Sequence, residues 1–134
     1  MDIFREVRDL GLPWGHYVVF GAGPLAAHGI RPTNDVDLFV TNALYEQLRR
    51  AGWEEQELVE RPGERYLAHG IYEADDTWRY GEYDPTPEAV IAGAEIINGV
   101  PFAPLGEVLR WKRAWGRPKD LVDVGLIEAY LNSG

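Results

Sequence analysis

The segment VVFGAGPLAAHGIRPTNDVDLFV, residues 18–40, restricts the fold more than any other part of the chain. It reads as strand, glycine turn, short helix, strand. The first strand, HYVVF at 16–20, is a β-branched and aromatic run. Gly21, Ala22 and Gly23 then make a tight turn, Pro24 suits the first turn of a helix, and Gly29 closes that helix. The second strand, DVDLFV, opens with two aspartates one residue apart. Side chains alternate across a strand, so Asp35 and Asp37 share one face while Val36 and Leu38 point the other way, into the core. Two like charges held this close repel unless something cationic sits between them.

A glycine turn feeding a helix N-terminus offers backbone N–H groups and a positive dipole end to an anion, typically phosphate. Carboxylates on the next strand can ligate Mg2+, which is usually bound by one or two carboxylates plus substrate phosphates. Neither half is specific alone, because tight turns need glycine regardless of ligand and a lone D-x-D is more often structural. Joined at this spacing, they point to a site that holds phosphates on one element and metal on the other.

The rest of the chain must supply the fold around this unit. At 134 residues, with 46% hydrophobic residues and 5 Trp, 7 Tyr and 4 Phe, one domain spanning 1–134 with a sizeable core is expected. No apolar run approaches the roughly 20 residues of a membrane helix. The absence of cysteine and of a basic, then apolar, leader makes a cytoplasmic location the expectation. A net charge of -9 argues against broad electrostatic binding to duplex nucleic acid. Converging acids would attract divalent cations instead, and a nucleotide would arrive with its metal.

Ile3, Val7 and Leu10 lie at helical spacing before Gly11 and predict a first helix. NALYEQLRRAG predicts a surface helix with Asn42 as N-cap and Gly52 as stop. WEEQELVE and RYLAHGIYEADDTW, separated by RPGE, predict an antiparallel pair of strands. TPEAVIAGA reads as a short helix and EIINGVPFA as a strand or hairpin broken at Asn98 and Gly99. The last third, PLGEVLRWKRAWG and RPKDLVDVGLIEAYL, predicts two helices. Strands and helices mix irregularly, so the fold class expected is α+β, or mixed α/β, rather than a repeating βαβ fold.

These residues resemble a known family. A hydrophobic strand, a glycine turn and a following Asp-hydrophobic-Asp look like the signature of the nucleotidyltransferase superfamily, whose fold is shared with DNA polymerase β. The similarity is closer to small bacterial nucleotidyltransferase-like proteins of the abortive-infection toxin kind. Their G-x-R-x-T-x-D-hydrophobic-D stretch matches GIRPTNDVDLF, and their C-terminal K...GRPKDLxD stretch matches KRAWGRPKDLVD.

The resemblance implies a mixed, mainly antiparallel sheet flanked by helices, with helices at the C-terminus. It also implies a Mg2+ site, with Mn2+ as a substitute, in which Asp35 and Asp37 bind metal and a third carboxylate on a neighbouring strand completes the set. Asp75 in YEADDTW is the expected third ligand, sharing a face with Glu73, and Asp76 is the fallback. The implied reaction transfers a nucleoside monophosphate from a nucleoside triphosphate to a hydroxyl on an RNA, protein or small-molecule acceptor, releasing pyrophosphate. Gly21, Ala22 and Gly23 would hold the triphosphate, with basic contributions from Lys112 and Lys119. The family's larger members carry an added helical domain for the acceptor, a wall that a homodimer could supply here, and analogy with the toxins implies an antitoxin partner.

Ala22 departs from the pattern, where Gly or Ser is usual, and removes a hydroxyl that would reach a phosphate oxygen. This keeps a second class of function in view, a catalytically inactive nucleotide-binding or interaction module. A metal-dependent hydrolase is disfavoured by the lack of a histidine-carboxylate cluster, and His28 and His69 lack further ligands at zinc spacing. Lys112 lies on the apolar face of its helix with Leu105, Val108 and Leu109, so its ammonium must snorkel to an edge or meet an anion. Asp120 and Asp123 read as acids complementing a helix dipole, and Asp37 has Arg31 as an alternative, purely structural partner.

Overall fold

The computed structural model describes residues 1–133. Asp2 accepts from the Phe4 and Arg5 amides at 3.1 and 3.2 Å and so starts helix α1 (Ile3–Leu10), which ends at a left-handed Gly11. Strand β1 (Tyr17–Phe20) leads through the glycine turn into α2 (Gly23–Ala27), and β2 (Val36–Val40) follows. Helix α3 (Asn42–Arg50) is capped by Thr41 rather than Asn42. The Thr41 hydroxyl accepts from Leu44 N at 3.3 Å, whereas the Asn42 amide donates to Asp76 at 3.0 Å.

The expected pair of strands is three. Strand β3 (Glu54–Glu57) pairs with β4 (Arg65–His69), and the chain then reverses at Gly70 and Ile71 into β5 (Tyr72–Asp75). Helix α4 (Pro87–Ala92) and a hairpin of β6 (Glu95–Ile97) and β7 (Val100–Phe102) precede the two last helices, α5 (Leu105–Trp115) and α6 (Pro118–Asn132).

One seven-stranded mixed sheet results, in the order β3-β4-β5-β2-β1-β7-β6. Only the β2–β5 and β1–β7 pairings are parallel, so the sheet is mainly antiparallel and the class is α+β. Alternation in the central strands divides the core. Val19, Val36, Leu38 and Val40 pack with Ile3 and Val7 of α1 and Leu44 and Leu48 of α3 on one face. Val18, Phe20 and Phe39 pack with Val108, Leu109, Val124 and Ile127 of α5 and α6 on the other. Among the described residues no helix is long and apolar enough to cross a membrane.

Candidate active site

The central strands place Asp37 on the face shared with α5 and α6, and its neighbours follow from the register. Asp37 pairs with Phe20 on one side and with Glu73 on the other. Directly paired residues point to the same face of a sheet, so Glu73 stands beside Asp37. Asp35 lies just before β2 and remains exposed at the mouth.

Gly21 closes the third side. A Cβ added there would lie 2.8 Å from Asp37 Cβ and closer still to Oδ2, and Gly21 also has φ +61°, where a side chain is strained. The glycine turn and the carboxylate are therefore in contact, and no other residue type fits between them. Gly21→Ala is expected to cost about 3 kcal/mol, combining backbone strain with displacement of Asp37. Gly29 has φ +72° but open space around it, so Gly29→Ala carries the strain alone, about 1 kcal/mol. Urea midpoints of the two variants test this, and equal losses would show that the close approach does not matter.

A cleft of about 600 Å3 opens over these groups. Gly21, Ala22, Asp35, Asp37 and Glu73 line one side; Arg31, Lys112, Arg117 and Lys119 line another. Trp78, Tyr80, Trp111 and Trp115 form an aromatic wall. Lys112 is buried and meets anions, as its position on the apolar face requires, but they belong to α6: Asp123 at 3.0 Å and Asp120 at 3.3 Å. Asp123 also accepts a bidentate pair from Arg31, both bonds 2.8 Å, so Arg31 serves α6 and not Asp37. Asp120 accepts from the Arg117 side chain and backbone and closes a capping box at the start of α6. The two sequence stretches GIRPTNDVDLF and KRAWGRPKDLVD are thereby tied into one wall of one cleft. Lys119 is exposed, lines the cleft and makes no ion pair among the described residues.

Asp75 also lines the cleft, on the same sheet face as Glu73. It pairs with Phe39, one strand repeat beyond Asp37, and its carboxylate is spent on Arg61 at 2.7 Å and on the Thr77 amide and hydroxyl at 3.0 and 3.1 Å. The carboxylate beside Asp37 is Glu73. Asp76 accepts from Asn42 at the start of α3 and does not line the cleft. Sequence alternation put Glu73 and Asp75 on one face; only the β2–β5 register chooses between them, and register between distant strands leaves no local signal.

The electrostatics match this crowding. Burial, then the charges of Glu73 and Asp35, push the Asp37 carboxyl up to about 7, with Lys112 pulling weakly the other way. Glu73 is also raised, by burial first and then by the charges of Asp35 and Glu60, while the Asp37 side chain opposes the rise. Burial raises Asp75 to about 6 against the opposing Thr77 and Arg61 contacts. Burial acts in the same sense on Asp120 and Asp123, but the hydrogen bonds and charges of Arg117, Arg31 and Lys112 outweigh it and hold both below the usual carboxylate range.

A raised folded-state pKa means that the native state binds protons more readily than the unfolded chain. The stability contributed by protonated Asp37 and Asp75 is full below pH ~4 and is lost as pH rises through about 6 and 7. The depressed Asp120 and Asp123 act oppositely and lose stability only in stronger acid. In metal-free buffer, urea unfolding is expected to show stability falling between about pH 5 and pH 7.5. A flat or rising curve across that window would contradict the carboxylate geometry.

The donors fit a hard divalent cation in kind, since Asp35, Asp37 and Glu73 offer only oxygen and their repulsion is what such a cation relieves. Among the described residues, however, no group of three or more His, Asp or Glu side chains is arranged to hold a metal. On the phosphate side, Ala22 is the N-cap of α2 and makes no side-chain bond, and α2 is only five residues long. Its dipole is correspondingly small. No family model matches the chain, and neither a curated protein nor a solved structure matches it.

Proposed function

We propose that this chain is a metal-dependent nucleotidyltransferase with the nucleotidyltransferase fold, of the kind found in small bacterial abortive-infection toxins. One observation carries the reading. Asp37 is wedged between the glycine turn and Glu73 in a cleft where both resembling stretches meet through Arg31, Lys112, Asp120 and Asp123. Asp35 and Asp37 would hold Mg2+ or Mn2+ together with the triphosphate oxygens, with Glu73 adding negative charge beside Asp37. When bound, the cation supplies charge neutralisation at the phosphates and acidifies the attacking hydroxyl.

The protein's own groups do the rest. The turn at Gly21–Gly23 and Lys119 orient the triphosphate, and the aromatic wall excludes water from one side. The acceptor oxygen forms a bond to the α-phosphorus, the bond to the bridging oxygen breaks, pyrophosphate leaves, and the hydroxyl proton passes to the carboxylate cluster. Asp75, engaged by Arg61, supports the wall and touches no reacting atom.

The absence of a hydroxyl at Ala22 and the short α2 favour a second reading, a nucleotide-binding module without catalysis. Titrating each nucleoside triphosphate with and without Mg2+ against wild type, Asp35→Asn and Asp37→Asn tests the shared premise. Affinity that ignores both metal and substitutions removes it. Incubation with labelled nucleotides and cell extract then separates the readings, because a silent module leaves no label on RNA, protein or small molecule.

A further inference from the structure

Residues 77–79 carry the inner edge of the aromatic wall, yet they lie outside the strands and donate or accept no backbone–backbone hydrogen bond among the described residues. Two of their carbonyls are met by a side chain from elsewhere. Arg61, in the loop between β3 and β4, is buried behind the wall at 6% exposure. Its guanidinium donates to Asp75 at 2.7 Å, to the Thr77 carbonyl at 3.4 Å and to the Arg79 carbonyl at 3.3 Å. The same group lies 4.9 Å from the centroid of the Tyr80 ring. Asp75 also accepts two bonds from Thr77, and Glu64 of the Arg61 loop accepts from Arg79 at 2.6 Å.

What this segment holds is the packing behind the carboxylates. Trp78 stacks on Phe20 with centroids 4.6 Å apart and planes 12° from parallel. Phe20 is both the register partner of Asp37 and the residue before Gly21. Trp78 also meets Trp111 edge-on at 5.3 Å, and Trp111 precedes Lys112. A planar five-donor fork can serve a carboxylate and two carbonyls together, which an ammonium cannot reproduce. A charge buried this far is retained at a desolvation cost that a plain packing position would avoid.

We infer that Arg61 is a positioning residue of the cleft, fixing through Asp75 and the 77 and 79 carbonyls the aromatic wall against which the glycine turn and Lys112 are set. The inference rests on the cleft being the nucleotide site, and the test separates the two. Arg61→Lys keeps the charge and loses the fork, so the chain stays folded while the wall loosens.

In protein carrying isotope-labelled tryptophan, the indole N–H signals report each ring by NMR, with Trp78 assigned through Trp78→Phe. Arg61→Lys is expected to move or broaden the Trp78 and Trp111 signals. Those of Trp14, which is exposed, and Trp53, on the opposite face of the sheet, should hold. Affinity for Mg·ATP should fall roughly tenfold. Asp75→Asn should give the same indole pattern and retain metal-dependent binding, whereas a metal ligand would lose it.

Unchanged Trp78 and Trp111 signals overturn the inference whatever the affinity does, as does equal movement of all five indoles, which signals general loosening. Wild-type protein that binds no nucleotide removes the nucleotidyltransferase reading alone. The indole pattern still decides whether Arg61 sets the wall.

Discussion

Asp37→Asn is expected to make the metal-free protein more stable at pH 8 and to abolish metal-dependent transfer, two effects of opposite sign from one atom. The stability gain follows from proton linkage. Asp37 is raised to about 7 by burial, Glu73 and Asp35, so ionising it in the native state costs free energy that the unfolded chain does not bear. Asparagine has the same shape and carries no charge, so it stands beside Glu73 and Asp35 without the repulsion that ionised Asp37 meets. With neighbours sharing part of the penalty, the gain is about 2 kcal/mol, or roughly 8 °C in Tm. At pH 4, where the wild-type carboxyl holds its proton, the gain should vanish. Transfer should fall on the order of 10³-fold or more, because one ligand oxygen and its charge are lost together. Millimolar Mg2+ should raise the wild-type Tm and leave that of the variant unmoved. A variant less stable than wild type at pH 8 would mean that Asp37 is an ordinary structural partner and not a strained functional group.

That strain explains why this part of the molecule was legible in the sequence. A charged pair in an apolar strand breaks the local pattern, and the upstream glycine turn says where the relief comes from. Val36 and Leu38 sit in the α1–α3 core as alternation requires, and Asp37 faces the cleft. Local signals also placed the six helices and the Asn98 and Gly99 hairpin. Lys112 announced itself as a cation on an apolar face that needed an anion.

What stayed hidden was non-local. Whether Glu73 or Asp75 stands beside Asp37 depends on the β2–β5 register, and each satisfies the same alternation. RYLAHGIYEADDTW read as one strand because Gly70 alone does not distinguish a bulge from the reversal that occurs there. Asp123 had a sufficient local explanation at the start of a helix, which concealed its partnership with Arg31, 92 residues away in the chain. Trp78 and Trp111 are buried as packing residues are, and they wall the cleft as well, a double role that follows from tertiary position.

Lys112 joins the two halves of this arrangement, so its removal should be felt both in stability and at Asp37. Lys112 is 4% exposed, with its ammonium 3.0 Å from Asp123, 3.3 Å from Asp120 and 4.5 Å from the Trp111 ring centroid. Lys112→Met keeps most of the apolar volume and deletes the charge. Two buried carboxylates then rely on Arg31 and Arg117 alone, at a cost of about 3 kcal/mol. Lys112→Ala should lose roughly 1 kcal/mol more through the stem packing that methionine preserves. The decisive reading is the pH profile. Lys112 is the cation that holds the Asp37 carboxyl down against its acidic neighbours, so Lys112→Met should raise it further. The Asp37 part of the fall in stability, near pH 7, should move to higher pH in Lys112→Met and be absent from the double variant with Asp37→Asn, which keeps only the Asp75 part near pH 6. A purely structural lysine would lower the whole curve and leave its shape alone, and that outcome would separate Lys112 from the carboxylate cluster.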